Sequence, residues 1–268
     1  EFWNSKVFVS ESFLRDEYNL SIIRIREIIT NLSLVLLSFM KLLFAINVIR
    51  YSSIFFILGV LVAMFFYPGG NIHDPNQLGY SFTHNFLSDL GGYKSHSGEI
   101  NFLSSTFFAL SLSVFALAGI SFLLIPLIFD DDRINFYLCL IGAILFFIGA
   151  IFFSAVGFTP YDLYFEEHVF FAKNSFRLMI PASFFILIAL IRSKISKHYL
   201  YIISVFLVST IFYVIYLNIG GNPIENQDDL IPNVIAQKLI VFVSMICIFL
   251  VTFAFSDKLN QNKKYAGT

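Results

Sequence analysis

Apolar runs close to the length of a membrane crossing recur along this chain, and nothing else in it constrains the fold as tightly. They fall at 53–67, 102–129, 134–158, 169–191, 199–217 and 234–255. A helix of about 20 residues crosses the roughly 30 Å hydrocarbon core of a bilayer. These runs are apolar on every side, whereas barrel strands alternate apolar and polar residues, so the expectation is an all-α, polytopic transmembrane helical bundle. The chain is 57% hydrophobic with a net charge of −1, which argues against nucleic acid as a partner. Cys139 and Cys247 sit inside apolar runs and read as small core residues.

The start of the bundle is ambiguous. Segment 32–49 is apolar enough to span, but Ser33, Ser38, Lys41 and Asn47 share one half of a helical wheel, and Arg50-Tyr51 separates it from the next run. That pattern favours an N-terminal interfacial amphipathic helix over a seventh span. The domain reading is therefore a cytoplasmic or interfacial segment 1–50, a six-helix transmembrane domain 51–256 and a basic tail 257–268.

Basic residues set the expected orientation. Lys6, Arg15, Arg24, Arg26 and Arg50 precede the first run, Arg192, Lys194 and Lys197 crowd the fourth connection, and Lys258, Lys263 and Lys264 follow the last run. The first, third and fifth connections hold acidic residues and one cation between spans, Lys94. The positive-inside tendency places both termini in the cytoplasm, in a bacterial or archaeal plasma membrane. Asp130-Asp131-Asp132 sits awkwardly on that cytoplasmic side.

Polar chemistry gathers in the outward connections. Segment 69–101 holds His73, His84, His96, Asp74, Asp89 and Glu99. Within it, 83–92 reads as a short helix closed by Gly91-Gly92 in a left-handed cap, which would put His84 with Ser88, and Asn85 with Asp89, on adjoining faces. Histidine beside serine can activate a nucleophile, and histidine with a carboxylate can bind zinc. The catalytic candidates are accordingly His84, Ser88, Asp89 and His168, with His84, Asp89 and His168 as a metal set for zinc. Asn85, Glu99, Asn101, Glu167, Lys173, Arg177 and Lys238 are candidate substrate-binding residues. Arg177 is the sharpest of these, because a guanidinium well inside a span demands a polar cavity or an acidic partner, for which Glu99, Asp89 and Glu167 are candidates.

The stretch Asn85-Phe-Leu-Ser-Asp-Leu-Gly91, with Asn101 and serines opening the next span, resembles a membrane family catalogued as domain of unknown function 998. In that family a Ser-Asp-Leu-Gly motif follows the first span and a histidine lies beyond the third. Ser88-Asp89-Leu90-Gly91 and His168 stand at those places. The resemblance covers about 51–255 and implies a six-helix bundle with no assigned activity. Seven-helix zinc hydrolases of the ceramidase and progestin-receptor type fit less well, because Gln237 and Lys238 occupy the last span where those proteins carry a His-x-x-x-His pair.

The functional expectation is a site on the outer membrane face that binds, and as a narrower reading hydrolyses, a lipid or amphiphile. A small-solute carrier or channel, and a non-catalytic subunit of a membrane complex or homo-oligomer, are the alternatives.

Overall fold

The computed structural model describes residues 37–266, with side chains described to Asn262. The chain parts into two compact units, 1–41 and 42–268. Of the first, Leu37–Lys41 are described, as the opening turn of a helix. The amphipathic segment expected over 1–36 lies outside the described residues.

Six helices are long and apolar enough to cross a membrane. They are α1 (Leu37–Phe65), α2 (Phe102–Phe122), α3 (Arg133–Val156), α4 (Phe165–Arg192), α5 (Lys197–Ile219) and α6 (Leu230–Ala266). Pro126 ends α2 early, and the 3-10 turn Ile125–Phe129 completes that span. Among the described residues, strand pairing is confined to two isolated bridges, Gly69 with Leu78 and Lys94 with Ile100.

The first span corrects the expectation for 32–49. From Leu37 onward that segment is the first half of a 29-residue helix, and Arg50 does not break it. Leu42, Ala45, Ile46 and Ile49 are buried at helical spacing, which turns this half toward the bundle. Arg50 is accommodated by α6. Its Nε donates to Thr252 Oγ1 at 2.9 Å and its Nη2 to Ser256 Oγ at 2.7 Å, and the guanidinium lies 4.2 Å from the Phe253 ring centroid.

Small residues let the helices approach. On α3, a Cβ on Gly142 would meet Ile186 of α4, one on Gly149 would meet Met179, and Ala143 and Ala150 are buried. Gly119 of α2 closes on Ala150 and Phe147. Many large apolar side chains remain exposed, including Phe44, Phe65, Phe102 and Phe212, as a lipid-facing surface requires.

At the end where α3 and α5 begin and α4 ends with a basic residue, ion pairs engage two members of the acidic run. Asp131 meets Lys258 at 2.6 Å, and Asp132 caps α3 through Ile134 N while meeting Arg192 at 3.1 Å. The expected tail 257–268 therefore opens as helix, with Lys258 buried against its partner. The connections at the other end build the candidate site.

Candidate functional site

The connection between α1 and α2 folds over the bundle end as a plug held by side-chain hydrogen bonds. Asn85 is its hub. Fully buried, it accepts from Gln77 Nε2 at 2.6 Å and Ser81 N at 2.9 Å, and its Nδ2 donates to Gly70 O at 2.8 Å and Asp89 Oδ2 at 3.1 Å. All four of its hydrogen-bonding positions are used. Asn101, at the start of α2, donates to Leu90 O at 2.9 Å and Gly92 O at 3.0 Å. Asp162 ties the α3–α4 connection in, accepting from Tyr93 N at 2.7 Å and Lys94 N at 2.9 Å. From α6, Gln237 Oε1 accepts the Leu87 N–H at 2.8 Å. Buried Lys238 donates to Asn85 O and stands over the Tyr80 and Phe82 rings.

Helix in the motif is shorter than the sequence suggests. Only Leu87–Gly91 is helical, as a 3-10 turn, because Asn85 and Asp89 side chains take the backbone partners a longer helix would use. Asp89 Oδ2 accepts the Phe86 N–H at 2.9 Å, in the manner of a capping box. Asn85 and Asp89 do meet, as expected. His84 and Ser88 do not: His84 Nδ1 lies against Thr83 Oγ1 at 2.9 Å and Ser81 Oγ at 3.2 Å. Gly92 is also not a left-handed cap, since its φ is −63°. Glycine stands there for space, as a Cβ would lie 2.6 Å from the Tyr161 ring and 2.7 Å from Lys94 O.

Beneath the plug lies a cavity of about 730 Å³, well within the range of small-molecule sites. Ser88, Asp89, His96, Tyr161, His168 and Lys173 form its polar wall. Phe56, Phe108, Phe153, Phe176 and Tyr213, from five helices, form an aromatic floor. Phe176 lies three turns into α4, about 16 Å along the axis at 1.5 Å per residue. Farther down the bundle are voids of only about 30 and 20 Å³.

His96 reaches this wall through backbone contact. Gly70, at φ +78°, lets the chain pass so close to 96–97 that a Cβ there would sit 2.3 Å from Ser97 N. The Ser97 N–H donates to Gly69 O at 3.2 Å. His96 Nε2 then stands 3.4 Å from Asp89 Oδ1, near enough for charge pairing but without the geometry of a hydrogen bond, so this buried nitrogen has no hydrogen-bond partner. The His96 ring packs on Tyr161 at 5.2 Å.

His168 is oriented by backbone. Its Nδ1 lies 2.6 Å from Thr159 O, and a carbonyl can only accept, so Nδ1 carries a proton and Nε2 is left without a partner among the described residues. Tyr67, Tyr80 and Tyr161 surround Asp89. Burial first, and then the Asp89 charge, pushes their hydroxyls well above the ordinary phenol range, so they remain neutral donors. Lys173 has no hydrogen bond or ion pair among the described residues, and Ser88 Oγ is not hydrogen-bonded to a histidine.

The structure thus sorts the expected site residues. Ser88, Asp89, His168 and Lys173 share the cavity wall. Asn85, Asn101 and Lys238 hold the plug instead of facing the cavity: Asn101 Nδ2 and Lys238 Nζ donate to backbone carbonyls, and Asn85 bonds to backbone and to the Gln77 and Asp89 side chains. His84 lies off the wall, and Glu99 and Glu167 are exposed. Arg177 is exposed as well, its Nη1 donating to Asn174 Oδ1 at 3.2 Å, and it pairs with none of the three carboxylates expected for it. No group of three His, Cys, Asp or Glu able to hold a metal occurs among the described residues, so the zinc set His84, Asp89 and His168 is not assembled. His96, Tyr161 and Gln237 join the wall unanticipated; a Thr-Pro-Tyr-Asp turn at 159–162 was the available signal for Tyr161.

Six apolar helices around a polar-walled, aromatic-floored cavity define an integral membrane helical bundle. No family model matches the sequence, no curated protein is significantly similar to it, and no solved structure matches its fold.

Proposed function

We propose that this protein binds a membrane amphiphile, with the polar head against the Asp89–His96–His168–Lys173 wall and the apolar part on the aromatic floor. The observation that carries this reading is the cavity itself, whose lining joins several titratable side chains to aromatic rings from five helices, as an amphiphile requires. The small voids below it favour a blind binding site over a passage. Binding is also better supported than hydrolysis, because Ser88 lacks the hydrogen bond to a base that activates a serine. The basic residues of the opposite end favour cytoplasmic termini and a cavity facing the outer leaflet. Likeness to domain of unknown function 998 belongs to the same proposal, since the Ser88-Asp89 motif and His168 line one wall.

The test is to purify the full chain in mild detergent and identify co-purifying lipids by mass spectrometry. Ala172 lines the cavity, and Ala172→Trp fills it. The wild type is expected to retain a lipid that the folded variant loses. An identical lipid complement in both proteins overturns the reading.

A further inference from the structure

Charge in the cavity is unevenly served. Asp89 Oδ2 accepts the Phe86 N–H at 2.9 Å and the Asn85 amide at 3.1 Å, and its Oδ1 lies 3.4 Å from His96 Nε2. Lys173 lines the same wall with no partner among the described residues. Four residues on, Arg177 is exposed on α4, and its hydrogen bond goes to the neutral Asn174 amide. Side chains on a helix tilt toward its N-terminus, so Lys173 and Arg177 both lean toward the cavity end of α4. Like charges at i and i+4 repel, and a guanidinium exposed within a span is costly. One anion placed near both cations relieves both costs.

The size of that charge selects the anion. A carboxylate carries one negative charge, whereas a phosphate monoester carries about −1.5 to −2 at neutral pH, matching two cations. Lysine serves phosphate as a point charge and arginine as a fork of donors. Resting on the amphiphile-binding reading above, we propose that the bound amphiphile is a lipid bearing a phosphate monoester. Lys173 holds its phosphate at the cavity wall, Arg177 completes the charge from the bilayer-facing side of α4, and an acyl chain lies on the aromatic floor.

The experiment compares two lipids of identical chains, dioleoyl phosphatidic acid and dioleoylglycerol, titrated onto the detergent-solubilised full chain and read by native mass spectrometry. Phosphatidic acid is expected to bind at least tenfold more tightly. Lys173→Gln should remove most of that preference by weakening phosphatidic acid far more than dioleoylglycerol, Lys173→Arg should keep it, and Arg177→Gln should reduce it severalfold. Ala172→Trp should weaken both lipids. Equal affinity for the two lipids, or an unchanged preference in Lys173→Gln, overturns the phosphate assignment and leaves amphiphile binding standing. Failure of both lipids to bind, or indifference of both to Ala172→Trp, overturns the amphiphile reading as well. Displacement of phosphatidic acid by equimolar glycerol 3-phosphate or inorganic phosphate overturns the lipid part, because the site would then take a soluble oxyanion. Size-exclusion profiles and melting temperatures confirm that each variant is folded.

Discussion

Asn85→Ala removes the side chain on which the plug is organised. Asn85 makes four hydrogen bonds at 2.6 to 3.1 Å, three to neutral groups and one to the Asp89 carboxylate. At about 1 kcal/mol for each neutral bond and about 2 for the charge-assisted one, their loss costs about 5 kcal/mol. Water entering the vacated space recovers part of this, leaving about 3 to 5 kcal/mol. The loss falls on the plug, because the helices below keep their own contacts. Amide hydrogen exchange by mass spectrometry is the assay. Gly70 N bonds to Gln77 O and Ser97 N to Gly69 O, so these amides report opening of the plug and not merely a lost contact to Asn85. Their exchange should accelerate by about a hundredfold to a few thousandfold, at tenfold per 1.4 kcal/mol. Asn85→Asp keeps the shape but loses both donors and sets a second carboxylate beside Asp89, so it should open the plug at least as far. Acidification should partly restore protection there, because protonating the new carboxyl removes the like-charge contact. If Gly70 and Ser97 stay as protected in Asn85→Ala as in the wild type, the plug is not organised by this side chain and the reasoning fails.

Two glycines should respond unequally to alanine. In Gly92→Ala the new Cβ meets the Tyr161 ring at 2.6 Å and the Lys94 carbonyl at 2.7 Å, neither free to move, and about 2 to 3 kcal/mol should be lost. In Gly149→Ala it meets the flexible Met179 methyl, and thermal unfolding should show a loss under about 1 kcal/mol; equal shifts in the two variants would contradict the packing argument. For orientation, single cysteines introduced at Asn76 or Asp228 should react with an impermeant maleimide on intact cells, and one at Lys194 only after permeabilisation. Cys139 and Cys247 are buried and should give little background, and the reverse labelling pattern would overturn the proposed topology.

Most of the bundle was legible because a membrane span is a one-dimensional signal: length and apolarity suffice. The first span was not, and Arg50 is the reason. A charge at the edge of an apolar run reads as a boundary, yet its partners Thr252 and Ser256 lie on α6, 202 and 206 positions away in the chain. The same blindness applied to Arg177, whose depth suggested an inward cavity although the helix turns it outward. The candidate site was found as a segment and missed in detail. Helical periodicity brought His84 and Ser88 together on paper, but the backbone there is helical only over Leu87–Gly91. His96 came inward through the Gly70 contact, a tertiary event with no local signature.

These misses share a cause that helps locate function. A connection closing the end of a membrane bundle has little secondary structure to satisfy its backbone, so polar side chains must do so. Asn85, Asn101, Asp162 and Gln237 are committed in this way, and the first two were among the residues expected to bind substrate. Abundance of polar groups is therefore a poor guide at such an end, and unmet hydrogen-bonding capacity is a better one. Among the described residues, buried Ser53 Oγ, Asn101 Oδ1 and Ser244 Oγ lack partners away from this wall, while His96 Nε2, the Ser88 hydroxyl and the Lys173 ammonium lack them on it. Buried polar groups left without partners are expensive to keep in the folded protein. The unpartnered groups that the α1–α2 connection and α4 bring to one cavity wall are why the proposed ligand is sought there and not at His84.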